Sequence, residues 1–91
     1  MRREVVVLEA TRVDVDLEVH AAYVTYRDGK SVETRDILDD GTVAYDVDDH
    51  GDIIGIEILG IDTTEYLEAA RTFAAKHELA CPRDLRGNLA A

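Results

Sequence analysis

The first two thirds of the chain alternate between apolar and polar positions with a period of two, which is typical of half-buried β-strands. The clearest stretch places isoleucines on one face and a glycine and an acid on the other, namely Ile54, Ile56 and Ile58 against Gly55 and Glu57. Similar one-sided rows are formed by Ala22, Val24 and Tyr26 and by Val43, Tyr45 and Val47. The pattern predicts four to six strands between about Glu4 and Leu59, with the run at residues 4–8 as the first.

Short turns rich in aspartate and glycine separate these stretches, at residues 28–30, 39–41 and 48–51. Both residue types tolerate the backbone conformations that tight turns require. Short connections favour antiparallel pairing of consecutive strands. We therefore predict an antiparallel meander, in which residues 31–35 return alongside residues 22–27.

The period changes to that of a helix after Gly60-Ile61-Asp62. Asp62 is a suitable N-cap with Glu65 as its capping-box partner, and Pro82 stops the pattern. The sequence predicts a helix over residues 63–79 that covers one face of the sheet, which makes the fold class α+β. The expected core includes Val24, Ile54, Ile56 and Phe73. We expect one domain over residues 1–81 and a C-terminal tail over residues 82–91.

Charge narrows the classes of partner. Ten Lys and Arg against 20 Asp and Glu give a net charge of −10, which argues against direct nucleic-acid binding. No apolar run reaches the length of a membrane span, so we expect no membrane association. One cysteine, Cys81, cannot form an intramolecular disulfide, and this is compatible with a cytoplasmic location.

Motifs for catalysis or metal binding are weak. Residues 46–57 match the spacing of a calcium-binding loop, but His50 occupies an oxygen-ligand position and strands replace the flanking helices. The three histidines lack partners at ligand spacing, and Ser31 has no histidine nearby in sequence. Cys81 follows the end of the predicted helix, where the helix dipole disfavours a thiolate. We therefore expect no catalytic residue, no metal and no cofactor. The alternative is a small-ligand or divalent-metal module, with or without enzymatic activity, that uses the acidic turns.

One charge feature stands out: no Lys or Arg occurs between Arg35 and Arg71, whereas eleven acids do. We interpret this stretch as a negative surface lobe on adjoining hairpins that attracts a basic protein partner. A lobe that only aids solubility is the alternative. The predicted partner-binding residues are Asp39, Asp40, Asp46, Asp48, Asp49 and Asp52.

Self-association is also predicted. The chain has four Tyr, one Phe and no Trp, so its core is thin, and pairing two sheets or two helices would bury more apolar surface. We expect a homodimer.

Residues 20–34 and 46–59 carry a family resemblance. Three segments resemble the bacterial family called domain of unknown function 2283: His20-Ala21-Ala22-Tyr23-Val24-Thr25-Tyr26-Arg27-Asp28-Gly29-Lys30, Ser31-Val32-Glu33-Thr34 and the ending Gly55-Ile56-Glu57-Ile58-Leu59. The resemblance implies a small antiparallel meander with a helix and no established activity. Some members are encoded beside small basic toxin-like proteins, which implies an antitoxin-like role.

Overall fold

A computed structural model of the chain describes residues 6–82 and Leu85. It contains five strands followed by one helix: β1 (Arg12–Asp16), β2 (Ala21–Thr25), β3 (Glu33–Asp36), β4 (Val43–Val47), β5 (Ile53–Leu59) and α1 (Thr64–Lys76). All strand pairs are antiparallel. The predicted α+β class, with an antiparallel sheet and a C-terminal helix, is confirmed.

The order of the strands across the sheet is β1-β2-β5-β4-β3, which places the last strand in the centre. The predicted pairing of residues 31–35 with residues 22–27 is wrong, because β3 pairs with β4. Strands β2 to β5 form a Greek key, in which three hairpin-connected strands bring β5 back beside β2. The isoleucines of β5 explain this position, since a strand so apolar is buried best between two neighbours.

Residues 26–32 form an arch that carries the chain from β2 across to the far edge of the sheet. The N–H groups of Tyr26 and Arg27 donate to the carbonyl of Ile54 at 2.7 and 3.3 Å, and Val32 N–H donates to the carbonyl of Val47 at 2.9 Å. The Asp28-Gly29-Lys30 turn signal therefore belongs to this arch and does not close a hairpin.

The core lies between α1 and one face of the sheet. Val24 and Ile56 are fully buried and Ile54 nearly so, which confirms three of the predicted core residues. The helix packs on β5 and β4 through Leu67, Ala70 and Ala74. Phe73 was predicted to be a core residue but is only half-buried, because the buried stripe of α1 is centred on Ala70 and leaves Phe73 at its edge.

Both ends of α1 differ from the prediction. The N-cap is Thr63 and not Asp62, and it makes no side-chain capping bond. The preceding turn is held by its backbone, because Gly60 and Ile61 both donate their N–H groups to the carbonyl of His20. The helix ends at Lys76, three residues before the predicted Leu79, since Leu79 leaves it to form a parallel bridge with Leu8.

The predicted first strand at residues 4–8 is wrong where the structure describes it. Val6 and Val7 are exposed, and Leu8 forms only the isolated bridge; residues 4 and 5 lie outside the described part. Leu85, which falls in the predicted tail, is 1% exposed and packs into the core. The other tail residues beyond Pro82 lie outside the described part, and the domain boundary at residue 81 stays a prediction. Within that part, no helix combines the length and the hydrophobicity needed to cross a membrane.

Candidate functional site

The sheet face that points away from α1, which we call the open face, carries most of the strand carboxylates. Strand register places side chains alternately on the two faces. The charged side chains on the open face are those of Asp14, Asp16, Asp36, Asp46, Glu57 and Arg12. Five acids against one arginine make this face strongly negative.

An aromatic ring crosses the middle of the open face. Tyr23 on β2 lies against the backbone of Gly55 on β5, so closely that a Cβ at Gly55 would lie 2.5 Å from Tyr23 Cε1. A glycine inside a strand commonly marks such a close approach. Gly55 is paired in turn with Asp46 on β4, so the ring spans β5 and its hydroxyl reaches β4.

Asp46 is the acceptor at which three strands meet. The hydroxyl of Tyr23 donates to Asp46 Oδ2 at 2.6 Å, and Thr34 Oγ1 on β3 donates to Asp46 Oδ1 at 2.5 Å. Burial of the ring, together with the Asp46 carboxylate and the charge of Glu57, raises the pKa of Tyr23 well above its ordinary value. The phenol therefore remains a hydrogen-bond donor across the physiological pH range.

A shallow cavity of about 260 Å³ lies beside the Tyr23 ring. Its charged lining residues are Asp14, Asp16 and Glu57, and its apolar wall is made by Val15, Ala21 and Ala22. Asp14 pairs with Arg12 at 2.8 Å, and Asp16 Oδ1 accepts the N–H of Glu18 at 3.0 Å. Three carboxylates beside an aromatic ring suit a positively charged group.

The six predicted partner-binding acids do not form one lobe. Asp39 and Asp40 lie in the β3–β4 turn, whereas Asp48, Asp49 and Asp52 belong to the β4–β5 turn. Successive turns of antiparallel strands lie at opposite ends of the sheet, so β4 separates the two groups. Asp46 is on β4 itself, near the second turn.

The β4–β5 turn uses one of its acids to hold its own backbone. Asp48 Oδ1 accepts the N–H groups of Asp52 at 3.0 Å and His50 at 2.9 Å, and these bonds hold the pKa of Asp48 below its ordinary value. The charge of Arg27, from the arch, lowers that pKa further. Gly51 adopts a φ of +84°, in the left-handed region that favours glycine. A cation that the sequence places far away is thus brought back to this turn by the fold.

The β3–β4 turn is built in a similar way. Asp40 Oδ1 accepts both the hydroxyl of Thr42 at 2.6 Å and its N–H at 3.0 Å, and the hydroxyl bond chiefly lowers the pKa of Asp40. Asp39, Asp49 and Asp52 are exposed. Their carboxylates therefore face solvent, whereas those of Asp40 and Asp48 stabilise turns.

Histidine and cysteine side chains are dispersed. His50 lies 3.6 Å from Asp49 on the surface, and the ring of His77 stacks on Phe73 with centroids 4.3 Å apart. Cys81 lies beside Tyr26, and burial raises the pKa of its thiol. Across residues 6–82 and Leu85, no group of three or more His, Cys, Asp or Glu side chains is positioned to hold a metal ion.

Sequence reasoning missed most of the open face. It placed Tyr23 in a strand and Gly55 opposite the isoleucines, yet it did not connect them, because that contact depends on the β2–β5 pairing. Gly55, a glycine within an isoleucine-rich strand, is the signal that could have indicated a close approach.

The profile of a family described as "Protein of unknown function (DUF2283)" matches residues 12–61, which is more than half of the chain. The chain belongs to this family. The matched region contains all five strands and stops before α1. No curated protein and no solved structure matches the chain.

Proposed function

We propose that this member of the DUF2283 family is a non-catalytic cytoplasmic module that binds a basic protein partner, in the manner of an antitoxin that neutralises a basic protein. The observation that carries the proposal is the open face, on which five carboxylates of the described strands stand against Arg12 alone while α1 packs on the opposite side. A face of one charge sign, uncovered by the helix, is suited to a partner of the opposite sign.

The charge distribution supports a binding role more than a catalytic one. The chain carries a net charge of −10, and a clustered negative field raises the rate at which a basic partner is encountered. The cavity beside Tyr23 gives this field a defined receptor for a lysine or arginine side chain, since Asp14, Asp16 and Glu57 surround it. Stacking against the phenol ring adds to the binding of such a cation.

The predicted acids of the turns contribute unequally to this proposal. Asp49 and Asp52 extend the negative surface beyond Asp46 at one end of the sheet, and Asp39 extends it at the other. Asp40 and Asp48 hold their turns, so their role in binding is indirect. Neutralising Asp46 or Asp48 would disturb the fold as well as the charge, and better variants avoid both.

The experiment compares two triple variants that remove the same charge. One is Asp14→Asn, Asp16→Asn and Glu57→Gln, around the cavity; the control is Asp28→Asn, Asp62→Asn and Glu78→Gln, all exposed and off the open face. Each protein is used to capture binding partners from a native lysate, and the association rate of the co-purifying protein is then measured at several salt concentrations.

We expect the open-face variant to associate about tenfold more slowly and with a weaker salt dependence, while the control stays close to wild type. Equal association rates for the two variants would refute the proposal. Calorimetric titration with calcium and manganese tests the alternative of a metal-binding module. Saturable heat of binding that is lost in the open-face variant would favour that alternative.

A further inference from the structure

A groove runs between α1 and the β3–β4 hairpin, on the face of the sheet opposite the open face. The helix packs on β5 and β4 and stops short of β3, which leaves a cleft of about 570 Å³. We call it the α1 groove. Its apolar surface is formed by half-buried side chains, those of Ile37, Leu38, Tyr45, Ala69 and Phe73.

Aromatic side chains line the centre of the α1 groove. Phe73, the only phenylalanine of the chain, contacts the rings of Tyr45 and His77 in tilted geometry, with centroids 4.5 and 4.3 Å apart. Phe73 is only partly buried in the single chain, so a partner that covered it would add apolar burial that the fold by itself does not supply.

Charges at the α1 groove are divided between its two ends. Glu65 and Glu68 lie in the first half of α1, with Glu68 paired to Arg71 at 2.7 Å, and Asp36 lines the groove from the sheet side. Lys76 and His77 lie at the C-terminal end of the helix. Among the groove-lining residues of the helix, the small side chains Ala69 and Thr72 occupy the middle. One end of the groove is thus complementary in charge to the other.

The acidic and basic side chains lie at similar distances from the middle of the helix, on opposite sides of it. A second α1 laid antiparallel across the first would place Glu65 opposite Lys76 of the second copy, and Lys76 opposite Glu65 of the second copy. Ala69 and Thr72 would face each other near the two-fold axis, where small side chains allow two helices to approach closely. An isologous contact of this kind closes as a dimer.

We propose that two copies of the chain pack α1 groove against α1 groove, with their helices antiparallel about a two-fold axis. The contact covers Phe73 and Tyr45 of both copies and brings the acidic end of each groove to the basic end of the other. This interface is independent of the partner proposed for the open face, because the two surfaces lie on opposite faces of the sheet.

Sedimentation equilibrium of the full chain tests the dimer. We expect wild type to dimerise at tens of micromolar and Thr72→Arg, which places two guanidinium groups near the axis, to raise the dimer Kd at least about tenfold. The control, Ala75→Arg, puts the same side chain at an exposed position of α1 outside the groove and should dimerise like wild type. Circular dichroism verifies that both variants are folded.

A charge exchange tests the antiparallel register. Glu65→Lys and Lys76→Glu should each weaken dimerisation about tenfold, since each single change turns two attractive contacts into repulsive ones. The double variant should recover most of the affinity. Failure of that recovery, or a dimer insensitive to Thr72→Arg, would overturn the proposal. A wild-type chain that stays monomeric would also overturn it. If a basic amphipathic peptide then bound over Phe73, the groove would belong to a different occupant.

Discussion

The two faces of the sheet are built from the same strands by different physical means. On the helix side β5 contributes Ile54, Ile56 and Ile58 to a largely aliphatic core, and no charged side chain of the described residues is buried there. On the open side the same strand contributes Gly55, over which Tyr23 lies to reach Asp46. One face is filled by volume, and the other is connected by hydrogen bonds.

The two faces contribute differently to the stability of the fold and to the alignment of its strands. Apolar burial is non-directional, and on the helix side it supplies most of the free energy of folding. The bonds from Tyr23 and Thr34 to Asp46 have defined lengths and exist only when β2, β5, β4 and β3 are aligned as observed. A shift of one residue would move Tyr23 to the core side. The open face therefore reinforces the register that burial of the core face already favours.

The largest expected effect is on the core side. Ile56→Ala removes a fully buried side chain at the centre of the sheet and should lower the free energy of unfolding by about 2–5 kcal/mol. Urea denaturation measures this. Leu17→Ala, at a position 59% exposed, is the control and should change stability by less than about 0.5 kcal/mol. Equal losses at both positions would contradict the assignment of faces.

A smaller loss of stability is expected from a change at Gly55, on the open side of β5. Gly55→Ala places a methyl group inside the Tyr23 ring, which must swing away and release Asp46, at a cost of about 1–3 kcal/mol. The cause is the ring and not the backbone, so Gly55→Ala should be nearly neutral in a Tyr23→Ala background. A double-mutant cycle on denaturation free energies measures this coupling. Additive losses would show that the ring does not constrain position 55.

The smallest effect concerns one hydrogen bond. Tyr23→Phe keeps the ring over Gly55 but removes the donor to Asp46, and it should lower the free energy of unfolding by about 1 kcal/mol near neutral pH. A loss above about 3 kcal/mol, the upper end for a hydrogen bond to a charged group, would mean that the hydroxyl stabilises more of the open face than this one bond explains.

The pH dependence gives that variant a second readout. Because the pKa of Tyr23 is raised in the folded state, its contribution is complete below the ordinary tyrosine pKa of about 10 and is lost as pH rises beyond it. Burial also raises the pKa of Tyr26, so both proteins should lose stability at high pH. Within about 1.5 pH units above that pKa, the free energy of unfolding should fall more steeply for wild type than for Tyr23→Phe. Parallel pH profiles would contradict the assignment to Tyr23.

Local patterns predicted the elements well, and long-range pairing limited the rest. The alternation around Ile56 and the periodicity after Ile61 depend on neighbouring residues, so the sequence alone predicts a sheet followed by a helix. The position of β5 in the sheet depends on which strands can flank its isoleucines. Local patterns do not reveal this, because a meander and a Greek key share the same alternation along the chain. The early end of α1 has a similar cause, since Leu79 is drawn to Leu8 by a contact that no local signal encodes.

The candidate site was harder to predict because charge along a chain is not charge in space. The stretch without Lys or Arg suggested one acidic lobe, yet its turns lie at opposite ends of β4, and the fold brings the charge of Arg27 near enough to lower the pKa of Asp48. The acids of the open face that belong to β1, Asp14 and Asp16, precede that stretch altogether. They join Glu57 only through the pairing of β1 with β2 and of β2 with β5.

The central position of β5 has a consequence for the order in which the molecule can be made. During synthesis the β1–β2 and β3–β4 ribbons leave the ribosome before the strand that joins them, and an isolated two-stranded ribbon is marginal in water. Until Ile53–Leu59 emerges, β2 and β4 each present an unpaired edge. A nascent chain stalled before residue 53 therefore has no continuous sheet, and the arrival of one seven-residue strand completes it.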